Sequence, residues 1–213
     1  MSDSNTVNKD FFDDCIHFPK IESNLIETIE FLEASRSVVQ FVELLGKAFI
    51  PVRHDMNGNI DKLLKIYETD RQKYKYLDQI LRVEKESLPE TDFHLGTDAL
   101  IWLTRALKYN LIFLSLFLLD FEEEKRSEDL SPYFSEAYDK SLKKYHNWFV
   151  QQICSLCLLS APNRSSLLKY LSLNKETIDE KRLFSVLKEY LTALKTNIEL
   201  IDKTFSDLNI DYL

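Results

Sequence analysis

The sequence predicts an all-α protein, on three observations. The 213 residues include only 3 Gly and 5 Pro, too little punctuation for a many-turned β fold. Apolar residues recur at helical spacing, and no alternating run of strand length interrupts them. Hydrophobic residues at 45% and charged residues at 29% suit one large core under a solvated surface. With no evident linker, a single domain is expected, and a chain of this length buries about 70% of its unfolded surface.

The elements follow in order. Residues 1–20 read as an irregular N-terminal segment in which Phe11, Phe12, Ile16 and Phe18 can dock on the body; residues 21–213 form the domain. After Pro19, a first helix is expected from Ile21 to Glu33, with Ile26, Ile29 and Leu32 at helical spacing. A second begins near Ser35 as N-cap and runs to residue 50, with Val38, Val39, Phe41, Val42, Leu45 and Phe49 turned inward. Pro51 should break it, and a further segment then runs to about Thr69. Gly58 within that segment costs about 1 kcal/mol relative to Ala, so it marks either close packing or slack. Asp70 to Lys85 reads as a helix with Tyr74, Leu77, Ile80 and Leu81 inward, ended by Ser87-Leu-Pro89. Thr97 or Asp98 then caps a long apolar helix to about Phe121. The acidic run from Glu122 to Asp129 is a solvated connector in which like-charge crowding favours disorder. Residues 130–160 read as mostly one helix beyond Pro132. A short helix follows Pro162, and the last long one covers about 178–207. The total is about eight helices.

Charge and composition exclude several functions. A net charge of −8 without a basic stripe argues against nucleic acid. It also opposes general attachment to an anionic membrane, although Lys140, Lys143 and Lys144 can touch headgroups locally. The N-terminal residues lack the apolar core of a signal peptide, and the Leu111–Leu119 stretch is far short of a bilayer span, so a soluble, cytoplasmic protein is expected. The 3 cysteines, an odd number, fit a reducing compartment. Cys154-x-x-Cys157 lies within a helix with no second ligand pair, so small buried side chains explain it better than a metal. No cofactor or metal is expected.

Three residues break the apolar pattern after Pro51. Asp55, Asn59 and Lys62, at spacings of four and seven, share one helix face within about 60° of arc. They present an acceptor, an amide and a cation in one direction. Charged residues mostly face water, so a solvated surface is the plain explanation; a polar ligand group is the functional one. Trp102, on the long apolar helix, is either core or a platform whose indole face suits the CH face of a pyranose ring. Arg105 stands one turn further. His146, in Tyr-His-Asn-Trp, shares a face with apolar residues, where a histidine is usually a satisfied core group. If that helix continues through His146, Trp148 is rotated by about 200° and faces outward, as an interfacial tryptophan would.

Together these stretches carry a family resemblance. The Asp55-x-x-x-Asn59-x-x-Lys62 run is followed by Asp98-Ala-Leu-Ile-Trp-Leu-Thr-Arg105 and by Ala137-Tyr-Asp-Lys-Ser-Leu-Lys-Lys-Tyr-His146. Leu159-Ser-Ala-Pro162 and Leu167-Leu-Lys-Tyr-Leu171 come after them. In this order the set resembles the glycolipid transfer protein family across most of the chain. The resemblance implies a single-domain, two-layer helical sandwich enclosing an apolar lipid pocket, and non-enzymatic transfer or sensing of glycosphingolipids between membranes. It implies that Asp55, Asn59, Lys62 and Trp102 hold the sugar headgroup and that His146, with Asp55, hydrogen-bonds the ceramide amide. Candidates for the pocket lining are Phe41, Leu45, Phe49, Val52, Leu142, Ile153, Phe184 and Leu187, and for membrane contact Trp148. The expected partners are a glycosphingolipid and, transiently, a membrane surface, with the protein a monomer.

Other functions remain open to the sequence. Within the family, a ceramide phosphate carrier would use additional cations, for which Arg53 and Arg105 are candidates. From another class, the adjacent His54-Asp55 pair, with His17, His94 or His146 as partners, resembles the start of an all-α His-Asp metal-dependent phosphohydrolase. Two neighbouring residues on a helix, however, point about 100° apart. A helical interaction module without lipid is the third.

Overall fold

The computed structural model describes residues 9–21, 23–87, 89, 94–174 and 178–210. Residues 1–8 of the segment expected to be irregular lie outside these. Among the described residues the chain forms nine α-helices: α1 (Phe11–Asp14), α2 (Thr28–Leu44), α3 (Ile50–Thr69), α4 (Leu77–Ser87), α5 (Leu95–Glu122), α6 (Ser131–Ser141), α7 (Trp148–Leu159), α8 (Arg164–Leu171) and α9 (Glu180–Asp207). Short 3₁₀ turns cover Lys47–Phe49 and Lys143–Tyr145. The only strand-like pairing among them is an isolated bridge between Glu27 and Tyr76.

Helix α5 is the axis of the fold, contacted by α2, α3, α4, α6 and α9. It is long and apolar enough to cross a bilayer by length and composition, unlike the shorter Leu111–Leu119 stretch considered alone. Its apolar surface is instead covered by its neighbours: Leu100, Leu103, Leu107, Phe113, Leu114 and Phe117 are all buried. Aromatic rings link the layers. Phe113 stacks on Phe134 of α6 at 3.8 Å between centroids, and Phe121 stacks on Phe184 of α9 at 4.0 Å. Phe41 of α2 and Phe49 join the same network at 6.4 Å from Phe113 and 6.2 Å from Phe134. The N-terminal segment contributes as well. Phe11, Phe12 and Phe18 are buried, while Ile16 stays half exposed, contrary to its expected docking.

Several boundaries differ from the periodicity reading, each through a tertiary contact. The two expected early helices are one, α2, and Ser35 lies mid-helix rather than at a cap. It is buried, and its hydroxyl donates to the Phe31 carbonyl at 2.8 Å. Residues 26–27 stay out of the helix because Leu77 N–H donates to the Ile26 carbonyl and Thr28 N–H to the Lys75 carbonyl, both at 2.9 Å. Helix α4 starts at Leu77 and not Asp70. The Asp70 carboxylate turns the chain by accepting from Gln72 and Lys73 N–H, and Gln79 caps Tyr76 N–H. Pro51 occupies the first turn of α3, where its missing N–H costs nothing.

The start of α5 is capped from outside. Neither Thr97 nor Asp98 does it; the Glu84 carboxylate of α4 accepts from Gly96 N–H, Thr97 N–H and the Thr97 hydroxyl at 2.7–2.8 Å. That approach needs a glycine, since a Cβ on Gly96 would meet Ile80 Cγ2 at 2.4 Å. Gly58 is the opposite case, with open space around its missing Cβ. Gly58→Ala is therefore expected to stabilise the protein by up to about 1 kcal/mol, read as a raised denaturant midpoint with an unchanged slope.

The acidic connector after α5 is pinned rather than disordered. Arg164, 4% exposed, donates to Asp120 at 2.8 Å and to Glu180 at 3.0 Å. The other oxygen of Asp120 accepts from Ser127 N–H and from the Tyr133 hydroxyl. Burial would raise the Asp120 carboxyl, but these hydrogen bonds and the guanidinium hold it below its usual range. Within the connector, Glu122 pairs with Lys188 of α9 and the Glu128 carboxylate accepts from Ser165 of α8.

The expected single helix over residues 130–160 is broken. After α6 the chain tightens through the 3₁₀ turn, His146 turns extended at φ −90° and ψ 132°, and Asn147 opens α7 by accepting from Val150 N–H at 3.0 Å.

Candidate functional site

Helix α3 presents the polar trio as its spacing predicts. Lys62 Nζ donates to Asn59 Oδ1 at 3.2 Å, and Asn59 Nδ2 faces Asp55 Oδ2 at 3.4 Å. Asn59 is 3% exposed, so the amide is the fixed member of the row, between a half-buried lysine and an exposed aspartate.

Trp102 and Arg105 reach the same place from α5, and His146 from the break between α6 and α7. The indole and imidazole rings stack at 5.8 Å with 17° between their planes. Arg105 lies 4.9 Å from the Trp102 ring centroid and 3.4 Å from that of Tyr145. The charges of Asp55, Lys62 and Asp98 are felt together at one point. Burial pushes the Asp55 carboxyl above its usual range; Lys62 and His146 oppose this and Asp98 adds to it. Asp55 keeps solvent contact as a residue, but the helices around its carboxyl remove enough water to disfavour the charge.

His146 is held below its usual imidazole range, chiefly by burial, with Asp55 pulling it upward and Arg105 pushing it down. It is therefore neutral at pH 7. Its Nδ1 lies 3.1 Å from the Tyr138 hydroxyl, whose own ionisation burial suppresses. Donation from Tyr138 to Nδ1 leaves the ring proton on Nε2, which makes that nitrogen a donor. Cys154 Sγ stands 3.7 Å from the same Nδ1.

The structure thus brings Asp55, Asn59, Lys62, Trp102 and His146 together. Arg105 joins them, but Arg53 does not. Two residues before Asp55, it is turned away to an ion pair with Glu43, on the groove between α2 and α3. His54 opens onto an adjoining groove lined by Arg36, Val39, Gln40, Glu43, Arg53 and Asn57, so His54 and Asp55 diverge rather than form a metal-binding pair. Among the described residues no three His, Cys, Asp or Glu side chains converge as metal ligands.

The expected pocket lining divides in two. Phe41, Leu45, Phe49, Phe184 and Leu187 are buried and packed in the core, where contacting apolar side chains gain dispersion energy and exclude water. Val52, Leu142 and Ile153 are half-buried against its edge. Trp148 is exposed as expected, at 73%, but for a different reason. It opens α7 beyond the His146 break, so the register of α7 turns it outward, not the rotation from His146. Phe149 is exposed too, as are Leu156 and Leu159. Tyr138 and Tyr145 were not singled out by sequence, since only the break brings them to His146.

An all-helical fold with an apolar core and a charge-balanced polar cluster at its edge is the class these features define. Comparison with known proteins gives the family. The Glycolipid transfer protein (GLTP) family model matches residues 26–173. The Glycolipid transfer protein of Xenopus tropicalis is 33% identical over 191 residues, covering 88% of this chain and 91% of that protein. Among solved structures, FAPP2, described as selecting simple glycosphingolipids with the GLTP fold, superposes with a TM-score of 0.78 at 27% identity, covering 97% of this chain and 96% of that one. The mouse ceramide-1-phosphate transfer protein shares the fold at a TM-score of 0.78, with 20% identity over 94% of each chain. The chain belongs to the glycolipid transfer protein family.

Proposed function

We propose that the protein carries a glycosphingolipid between membranes, with the sugar against Trp102, Asp55, Asn59 and Lys62 and the ceramide amide between Asp55 and His146. The observation that supports this most is the composition of the cluster. An indole sits beside two acids, Asp55 and Asp98, and two cations, Lys62 and Arg105, with a neutral His146. That charge balance suits a neutral, hydroxyl-rich headgroup better than a phosphate, which would ask for a cationic excess. Arg53, which a phosphate carrier could recruit, is engaged by Glu43 instead.

The division of labour follows from donor and acceptor chemistry. His146 Nε2–H donates to the amide carbonyl, and the Asp55 carboxylate accepts from the amide N–H or from a sugar hydroxyl. An amide entering an apolar site without these partners would lose about 1–3 kcal/mol, so the pair also selects for ceramide. No bond is made or broken, as befits a family of carriers rather than enzymes. The chains are the larger problem. Roughly 30 methylenes at ~0.8 kcal/mol each would leave about 24 kcal/mol unsheltered in water. Phe41, Leu45, Phe49, Val52, Leu142, Ile153, Phe184 and Leu187 take up the chains when the helices part.

Loading happens at a membrane, and α7 supplies the surface. Trp148, Leu156 and Leu159 lie within one stripe of the helix, and Phe149 flanks it. Leu159 is 84% exposed. Trp148→Ala removes an interfacial anchor worth about 1.5–3 kcal/mol. Vesicle partitioning is expected to fall roughly tenfold or more, with binding of a short-chain soluble glycolipid little changed. Equal loss of soluble-lipid binding would make Trp148 structural. The carrier works as a cytosolic monomer in this reading.

The deciding experiment is a vesicle-to-vesicle transfer assay with glycosylceramide and ceramide phosphate of matched chains. Faster transfer of the glycosylceramide supports the proposal; preference for the phosphate would hand the site to the second reading, with Arg105 and Lys62 as its cations.

A further inference from the structure

Helix α5 carries a polar atom that the headgroup site does not use. Tyr109 is 7% exposed, and its hydroxyl has no hydrogen-bond partner among the described residues. Buried hydroxyls are almost always satisfied, so this one marks a place where something else supplies the partner. Its position says what. Seven residues after Trp102, Tyr109 lies on the same face of α5, about 20° away and roughly 10 Å further along the axis. An aromatic side chain in a helix leans back towards the N-terminus, so its hydroxyl reaches towards Trp102.

The other wall is α7. Burial and the nearby thiols of Cys154 and Cys157 together suppress ionisation of the Tyr109 hydroxyl, so it remains a donor. Cys154 itself stands 3.7 Å from His146 Nδ1, and Cys157 reaches the Ala48 carbonyl at 3.0 Å, beside Phe49. The hydroxyl therefore sits one thiol inward from the imidazole that faces the ceramide amide. A lipid with its headgroup at Trp102 and its amide at His146 runs its chains past this point. Plain methylenes would leave the hydroxyl unsatisfied.

We propose that Tyr109 recognises a hydroxyl on the lipid chains within a few carbons of the amide, which makes the protein selective for hydroxylated ceramides. Every ceramide has a hydroxyl at carbon 3 of the sphingoid base, beside the amide and headgroup; the further hydroxyl that Tyr109 selects for has two possible positions, carbon 2 of the acyl chain and carbon 4 of the sphingoid base. The inference rests on the glycosphingolipid reading above and adds a determinant in the chain region to it.

The test compares three glycosylceramides of equal chain length in competitive vesicle transfer: non-hydroxylated, 2-hydroxyacyl and 4-hydroxysphingoid. Wild type and Tyr109→Phe are assayed side by side, and the readout is the ratio of hydroxylated to non-hydroxylated transfer. One hydroxylated lipid is expected to lead by roughly two- to tenfold with wild type, and that ratio is expected to collapse towards one in Tyr109→Phe. Which lipid leads identifies the chain. A wild-type ratio of one for both, or a ratio that survives in Tyr109→Phe, overturns the inference and leaves the carrier function standing. Transfer of none of the three by wild type contradicts the function itself, and the inference with it.

Discussion

Asp55→Val is expected to lower glycolipid affinity by one to two decades and leave the helical fold intact. The loss follows from what the carboxylate does, since hydrogen bonds to a charged group are worth about 1.5–3 kcal/mol. Asp55 is also the only acid in the Lys62–Asn59–Asp55 row, so its removal leaves Asn59 Nδ2 without that acceptor. The fold should not suffer, and the sign of the ionisation shift explains why. The folded pKa of Asp55 is raised, so folding favours its protonated form. That contribution is present below the unfolded pKa and is lost as pH rises through the folded one. At neutral pH the ionised carboxylate is thus a burden on stability, and folding does not depend on it. The same shift predicts that wild-type lipid affinity declines as pH falls through a range above that of an ordinary carboxylate, and that Asp55→Val shows no such decline. Isothermal binding of a short-chain glycosylceramide with circular dichroism as fold control measures both. Unchanged affinity in a folded variant would remove Asp55 from the site.

Arg164→Ala carries the largest expected effect on stability. Its side chain is 5% exposed and that of Asp120 is fully buried, and the pair joins the end of α5 to α8 and, through Glu180, to α9. Removing one partner of a buried pair costs about 3–5 kcal/mol, because the remaining charge stays desolvated. A domain holds only about 5–15 kcal/mol in all, so the variant should unfold at far lower denaturant or fail to accumulate. The guanidinium also lies 5.2 Å from the Phe117 ring centroid and 5.6 Å from that of Phe184, so packing is lost with the charge. A midpoint shift corresponding to less than about 1 kcal/mol would mean that the pair is hydrated in solution and that something else holds the connector.

The contrast between these two residues shows what a sequence displays. Asp55, Asn59 and Lys62 interrupt an apolar pattern at spacings of four and seven, which is a local signal, and α3 presents them on one face. Trp102 and His146 were joined to this site only by the family resemblance, not by any local pattern. Their stacking depends on the break at residues 142–147, which contains neither Gly nor Pro and which periodicity reads as continuous helix. Tyr138, eight positions before His146, meets it only because the chain turns there. The cap on α5 was hidden for a related reason: Glu84 supplies it from another helix, while Thr97 and Asp98 looked suitable locally. Ser35 looked like a cap and is a buried mid-helix hydroxyl. The acidic connector suggested disorder because its partners, Lys188 for Glu122 and Ser165 for Glu128, lie far along the chain. Tyr109 carried no signal at all, since a tyrosine on an apolar helix reads as core until its hydroxyl is found without a partner.

The most direct measurement is a crystal structure of the protein with a short-chain glycosylceramide. The sugar ring should lie against Trp102, with its hydroxyls within hydrogen-bond distance of Asp55, Asn59 or Lys62. The amide carbonyl should accept from His146 Nε2. A headgroup bound away from Trp102, or an amide with no contact to His146 or Asp55, would contradict the proposed mode of carriage.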